Sequence, residues 1–249
     1  MNRQRISAIA HRNHPIAAPL DTDSAAWLLG WGLPVGDERV LDLGCGRGAW
    51  LELAVDGRPQ VQAVGVDLDP GAFENVPEAL TGKNVELQVG DAAEFSSDEP
   101  FELVLCMGAT HAFGGLLPTL EAARRHLAPG GTVLVGEGYW EREPGPAALE
   151  IFGDGSGADP LADLATTVDR VVQAGWTPVF GYTSTTAELD EYEWCWTGTL
   201  SEWALDHPDD PDSATALEAA RVHREEWLRG YRGTFGFVSL VLRRTDGGA

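Results

Sequence analysis

The run Val40-Leu41-Asp42-Leu43-Gly44-Cys45-Gly46-Arg47-Gly48 constrains this chain more than any other stretch of it. A short apolar segment breaks into alternating glycines, and helix-forming residues resume over 49–55. That order reads as a buried strand, a tight turn and a helix. Glycine lets the backbone turn sharply and approach a ligand where any Cβ would collide. The spacing Gly44-x-Gly46-x-x-Ala49 also fits a dinucleotide fingerprint, in which a pyrophosphate rests on the helix N-terminus. Asp42 argues against that ligand. Two residues before the first glycine, its carboxylate repels a pyrophosphate and favours positive charge. An aspartate that merely caps the turn is the plain structural alternative.

Short apolar runs at 61–66, 85–89, 101–107 and 132–136 repeat the strand signal. Helix-like segments lie between them at 73–80 and at 116–127, the latter stopped by Pro129-Gly130-Gly131. Buried strands alternating with helices predict a parallel sheet covered on both faces. Residues 1–20 read as irregular and proline-broken. A helix capped by Asp21 or Asp23 follows, ending at Gly30 and Gly32. Further on, 159–174 reads as a helix ended by Gly175, 177–182 as a strand and 235–243 as a closing strand. About fifty residues separate those two strands, too many for a structureless loop. Helical patterns at 187–205 and 213–229 make this an inserted helical cap.

Two more carboxylates stand at predicted strand ends. Val66-Asp67 closes the second strand, where an acidic side chain accepts from both hydroxyls of a ribose. Gly90-Asp91-Ala92 closes the third, where an acidic group accepts from an adenine amino group while the next backbone N–H donates to the ring. One strand-end aspartate is a common turn residue. Asp42, Asp67 and Asp91 on successive strands mark the crevice where open α/β sheets bind ligands.

Charge excludes some partners. With 17 basic and 39 acidic residues the net charge is −22, which repels phosphate backbones and anionic membranes. Neither nucleic acid nor membrane is expected as a partner, and oligomeric state is unreadable. Cys45, Cys106 and Cys195 are an odd number without metal-ligand spacing, and His11 and His14 add no known metal site, so no bound metal is expected. The opening residues lack the apolar core of a signal peptide, and no run is apolar enough to span a bilayer, so a cytoplasmic location is expected.

The segments LDLGCGRG (41–48), GVDLDP (65–70), GDAAEF (90–95) and LAPGGTVLV (127–135) resemble, in order, the successive motifs of the class I S-adenosylmethionine (SAM) dependent methyltransferases, in particular their small-molecule branch. The resemblance covers roughly residues 38–138 and a closing strand. It implies a Rossmann-like, doubly wound, seven-stranded α/β sheet of order 3-2-1-4-5-7-6 with strand seven antiparallel. It implies a core of residues 37–182 and 233–245, an N-terminal lid or helix over 1–36, and the cap over 183–232 between strands six and seven. SAM would be the cofactor, S-adenosylhomocysteine the product and a small-molecule metabolite the methyl acceptor. By this resemblance Asp42, Gly44 and Gly46 face the methionine end of SAM. Asp67 with Leu68 takes the ribose, Asp91 with Ala92 the adenine, and the Cys106 carbonyl the ammonium.

The Asn/Asp-Pro-Pro-Tyr signature of the family's DNA and protein enzymes is missing after strand four, where Cys106-Met107-Gly108-Ala109-Thr110-His111 stands instead. His111 is a candidate general base for a hydroxyl or ammonium nucleophile; a histidine packing beneath the cofactor is the other reading. Glu137, Tyr139 and Trp140 follow the fifth strand, and Trp194 lies in the cap, as candidate substrate contacts. Aromatic and acidic residues there suit an aromatic or cationic acceptor, or form the core of a small cap. Methyl transfer to an O, N or C atom is the leading reading. A SAM-binding sensor or cyclase without methyl transfer, and an NAD(P)-dependent oxidoreductase, are the alternatives.

Overall fold

A computed structural model describes residues 1–74, 76–82, 84–153 and 160–245. The elements in chain order are α1 (Arg3–Ala10), α2 (Thr22–Gly32), β1 (Arg39–Leu43), α3 (Ala49–Val55), β2 (Gln62–Asp67), β3 (Val85–Val89), β4 (Phe101–Met107) and α4 (Leu116–His126). Then come β5 (Leu127–Trp140), α5 (Pro146–Phe152), α6 (Leu164–Gln173), β6 (Trp176–Thr183), α7 (Thr186–Asp206), α8 (Ser213–Glu225) and β7 (Phe235–Arg244). The strands form one 7-stranded sheet in the order β3-β2-β1-β4-β5-β7-β6. β1 pairs parallel with both β2 and β4, and β7 lies antiparallel between β5 and β6. This is the Rossmann-like order that the motifs imply, with α7 and α8 between β6 and β7.

Alternation along the strands builds a core on each face. In β4, Leu103 and Leu105 turn toward Leu28, Leu29, Trp50 and Leu51 of α2 and α3. Val104 and Cys106 turn the other way, toward Leu116 and Leu120 of α4 and Val171 of α6. Burial of each such leucine contributes about 1.5–3 kcal/mol. Two smaller clusters lie above the sheet. Ile9 and Ala10 of α1 pack on Leu200, Trp203, Ala216 and Ala220 of α7 and α8; Trp227 and Tyr231 pack on Ala148 of α5.

Several expectations are corrected. Residues 3–10 are helical because the Asn2 side chain accepts from the Arg5 N–H as an N-cap and because α7 and α8 receive the apolar side of the turn. The expected helix over 73–80 is two short 3-10 turns, Pro70–Phe73 and Glu78–Thr81. Pro77 between them has no N–H for a helical bond, and Asn75 lies outside the described residues. The fifth strand runs well beyond 132–136. It reaches Trp140 because β7 pairs with it from Thr132↔Arg243 to Trp140↔Phe235, so Glu137, Tyr139 and Trp140 are strand residues. The helix expected from 159 starts at Leu164, capped by Asp163, and Asp159 lies outside the described residues. The sequence reading missed α5 altogether. The second cap helix ends at Glu225 and widens into a π turn, Glu226–Tyr231. Among the described residues no helix is long and apolar enough to cross a membrane, and no group of three or more His, Cys, Asp or Glu side chains is placed to hold a metal.

Candidate active site

The strand order reverses between the parallel neighbours β1 and β4, and the carboxyl ends of both open on one crevice, the usual ligand position in doubly wound sheets. Its loop is tied down by main-chain bonds. The Gly44 and Cys45 N–H groups both donate to the Val66 carbonyl at the end of β2, at 2.9 and 3.0 Å. Gly44 has φ +81°, and a Cβ there would stand 2.5 Å from the Ala109 Cβ beyond β4. Gly108 is similar: at φ +72° its Cβ would meet the Ala17 carbonyl at 2.8 Å. Glycine at these positions lets the two strand exits and the N-terminal segment close around one space.

That space is a cavity of about 380 Å³. Gly46 and Arg47 contribute from the first turn, Asp67 and Leu68 from the end of β2, and His111 from the turn after β4. Arg3, Gln4, Ser7, Ala8 and His11 roof it from α1 and the turn that follows. The Asp67 carboxylate organises the wall. Its Oδ2 accepts from the Gly46 N–H at 2.8 Å and its Oδ1 from the Asp69 N–H at 2.9 Å. A carboxylate offers about four acceptor positions, so both oxygens keep capacity for ligand hydroxyls.

Asp42 lies behind this wall and is fully buried, and its Oδ2 has no hydrogen-bond partner among the described residues. Burial, then the neighbouring charge of Asp67, pushes its carboxyl up to about 8. An unmatched buried acceptor of this kind is costly unless something cationic or a donor meets it. Cys45 and Cys106 are also buried, and burial holds both thiols well above their ordinary range. Neither is a reactive thiolate.

The structure brings Gly46, Asp67, Leu68 and His111 into one cavity wall. Asp42, Gly44, Asp91, Ala92 and Cys106 are not in that wall. Asp91 is exposed and turns onto its own loop, accepting from the Ala93 N–H at 2.9 Å, while Ala92 is buried. Cys106 packs in the sheet core. The substrate candidates separate. Tyr139 lines a second cavity, of about 330 Å³, between the ends of β5 and β6 and the start of α7. Its hydroxyl donates to Glu141 at 2.6 Å. Glu137 lines a small space of about 40 Å³ beside Leu116 and Leu161. Trp140 packs edge-on against Phe152 and Phe235. Trp194 is half exposed, edge-on to Trp227, and lines neither of these two cavities.

Sequence reading expected an N-terminal lid or helix over 1–36 but named none of the contacts that hold α1 over this cavity. His11 Nε2 lies 3.0 Å from the Tyr192 hydroxyl on α7, and His11 Nδ1 lies 2.9 Å from the Ser7 carbonyl. Burial, with the charge of His14 beside it, lowers the His11 pKa despite the Ser7 bond. Asn2 as a cap and the Ile6, Ile9, Ala10 spacing were the available signals. No local signal pairs His11 with a residue 181 positions away.

A family model described as a methyltransferase domain matches residues 40–131. The crystal structure of a SAM-dependent methyltransferase from Geobacter sulfurreducens, in complex with S-adenosylhomocysteine, superposes at TM-score 0.85 with 25% identity, covering 96% of this chain and 98% of that one. A SAM-dependent methyltransferase from Thiobacillus denitrificans in the same kind of complex gives 0.84 and 25%, covering 98% and 100%. The uncharacterised protein YjhP of Escherichia coli (strain K12) is 26% identical, over 97% of this chain and 99% of its own length.

Proposed function

Because this chain belongs to the class I SAM-dependent methyltransferase family, we propose that it holds SAM in the cavity at the ends of β1, β2 and β4 and moves its methyl group to an O, N or C nucleophile of a small molecule lying under α7. The unpartnered Asp42 carboxylate behind a glycine cradle carries this assignment. A ligand bearing an ammonium and a sulfonium supplies the positive charge that this buried oxygen lacks. Bound SAM supplies an electrophilic methyl on a positively charged sulfur.

The protein's part is to bind, orient and exclude water. Asp67 holds the Gly46 loop and keeps acceptor capacity for two ribose hydroxyls, with Leu68 packing beside them. Asp91 and Ala92 take the adenine edge one strand further out, and the Cys106 carbonyl takes the ammonium at the other side. His111, on the cavity rim, accepts the proton of a hydroxyl or amine nucleophile as it attacks. In-line placement of nucleophile and methyl supplies most of the acceleration. The α1 roof keeps bulk water from the reacting centre. Residues 183–232 serve as the cap over the acceptor, on a core of 37–182 and 233–245.

Calorimetry should show SAM and S-adenosylhomocysteine binding at micromolar affinity, about −8 kcal/mol. In Asp67→Ala it should weaken at least tenfold, since charge-assisted bonds contribute about 1.5–3 kcal/mol each. Isotope-labelled SAM with a metabolite library should yield a product one methyl heavier. No heat with either ligand, together with clear binding of NADH, would overturn the proposal.

A further inference from the structure

The second cavity carries chemistry of its own. It lies beneath the start of α7, where β5, β6 and β7 end or begin. One side is apolar and aromatic: Tyr139, Leu189, Trp227, Tyr231 and Phe235. Its volume, about 330 Å³, is at the small end of ligand pockets, room for one substituted ring. Ser184 stands in the wall between β6 and α7. Its side chain is only 9% exposed, and its Oγ has no hydrogen-bond partner among the described residues. A buried hydroxyl left unmatched is uncommon in a folded protein and points to a partner that arrives from outside.

The acidic residues of this wall are each already engaged. Both Asp190 oxygens accept from the Arg232 guanidinium, at 2.9 and 2.7 Å. The two Glu193 oxygens meet the Tyr231 hydroxyl at 2.6 Å and His223 Nε2 at 2.7 Å. Glu141 accepts from the Tyr139 hydroxyl, and Arg142 beside it in sequence adds the opposite charge. Most of the carboxylate oxygens that make the cap look suited to a cation therefore already accept a bond inside the protein. Beside them the wall offers a ligand an aromatic face and the unmatched Ser184 hydroxyl.

The two cavities meet through one helix. Tyr192 touches His11 in the roof of the first, and the next residue of α7, Glu193, lines the second.

We propose that the second cavity holds the body of the methyl acceptor, and that this acceptor is a small, neutral, aromatic hydroxy compound hydrogen-bonded to Ser184. This rests on the reading of the first cavity as the SAM site and names the substrate class for it. The charged alternatives fit less well. An ammonium finds carboxylates most of whose oxygens already accept bonds inside the protein, and a carboxylate finds three acidic side chains in the lining against two arginines, one of which pairs with Asp190.

Three probes with one ring separate these chemistries: para-cresol, para-toluate and para-methylbenzylammonium. Dissociation constants are read by ligand-observed NMR on the full chain with S-adenosylhomocysteine present. Para-cresol should bind at least fivefold more tightly than either charged probe. Ser184→Ala should weaken it by at least about fivefold, and Leu189→Trp, which fills the cavity, should abolish it. Both variants should bind S-adenosylhomocysteine within twofold of the parent. That control separates the two ideas, since loss of cofactor binding in the parent protein sinks the SAM reading instead. The acceptor assignment is overturned if no probe binds or a charged probe binds best. It is equally overturned if para-cresol still binds Leu189→Trp, or binds folded Ser184→Ala unchanged.

Discussion

Asp42 is the residue in which fold and function conflict most directly. Its carboxyl is pushed up to about 8 by burial and by Asp67, so the folded protein holds that proton more tightly than the unfolded chain does. The stability this contributes is complete below the ordinary carboxylate range and is lost as pH rises through about 8. The ligand-free protein should therefore show a melting temperature that falls between pH 5 and pH 9. Asp42→Asn, which cannot ionise, should flatten that fall and melt higher than the parent at pH 9. The scale is roughly 2–4 °C per kcal/mol for a chain of this size. The same substitution removes the countercharge for the cofactor and should weaken SAM binding. Scanning calorimetry at several pH values reads the first effect, and identical slopes for parent and variant would refute the assignment of the buried charge. Glu188 has the opposite sign. Burial pushes its carboxyl up, but hydrogen bonds from Thr185 and Tyr182 outweigh this and hold it low, so its contribution is present at neutral pH and lost on acidification.

At the scale of elements, the roof and the cap act as one body. α1 packs on α7 and α8 through Ile9 and Ala10, its Arg5 pairs with Asp210 and Asp212, and His11 meets Tyr192. A cap confined to the acceptor could be cut away with little effect on cofactor binding. The packing of α1 on the cap makes that separation impossible, because removing α7 and α8 also removes the support of the cofactor roof. Tyr192→Phe tests the link with the least disturbance, since it keeps the ring and deletes only the hydroxyl. The lost hydrogen bond is worth about 1 kcal/mol, or about fivefold in SAM affinity. Faster SAM dissociation in stopped-flow measurements, with a melting temperature lowered by no more than about 2–4 °C, is the expected result. An unchanged dissociation rate would mean that α1 does not close on the cofactor. Glu188 fixes the other end of α7. Its carboxylate accepts from the Tyr182 hydroxyl of β6 and from Thr185 in a capping box, and more distantly from the Asp21 N–H at the start of α2.

At the scale of the molecule, the net charge of −22 sets solubility and self-repulsion. Raising ionic strength from about 10 mM to about 150 mM shortens the screening length from about 30 Å to about 8 Å. The melting temperature should rise by a few degrees over that range, and duplex DNA should not bind at either concentration. A melting temperature that falls with salt would show that attractive pairs such as Arg232–Asp190 outweigh the repulsion.

Much of the sheet, and the turn that leaves its first strand, was legible beforehand because the signals are local. An apolar run ending in glycines leaves its strand by a tight turn, so the turn at Gly44 and Gly46 and the strand end at Asp67 could be read from the sequence, while the family motifs supplied the strand order. Short-range rules also located α3, α4 and the two cap helices to within a few residues. Other features depended on partners distant in sequence. The last residues of β5 are strand only because β7 returns beside them, and α1 is a roof only because α7 and α8 bury its apolar side. The acidic residues of the cap read as an attraction for cations until tertiary contacts engaged Asp190 with Arg232 and Glu193 with Tyr231 and His223. Backbone preference and hydrophobic period act over a few residues and can be read in order along the chain. Pairing of strands, closure of a roof and neutralisation of a buried charge depend on which distant segments meet, and only the folded chain decides that.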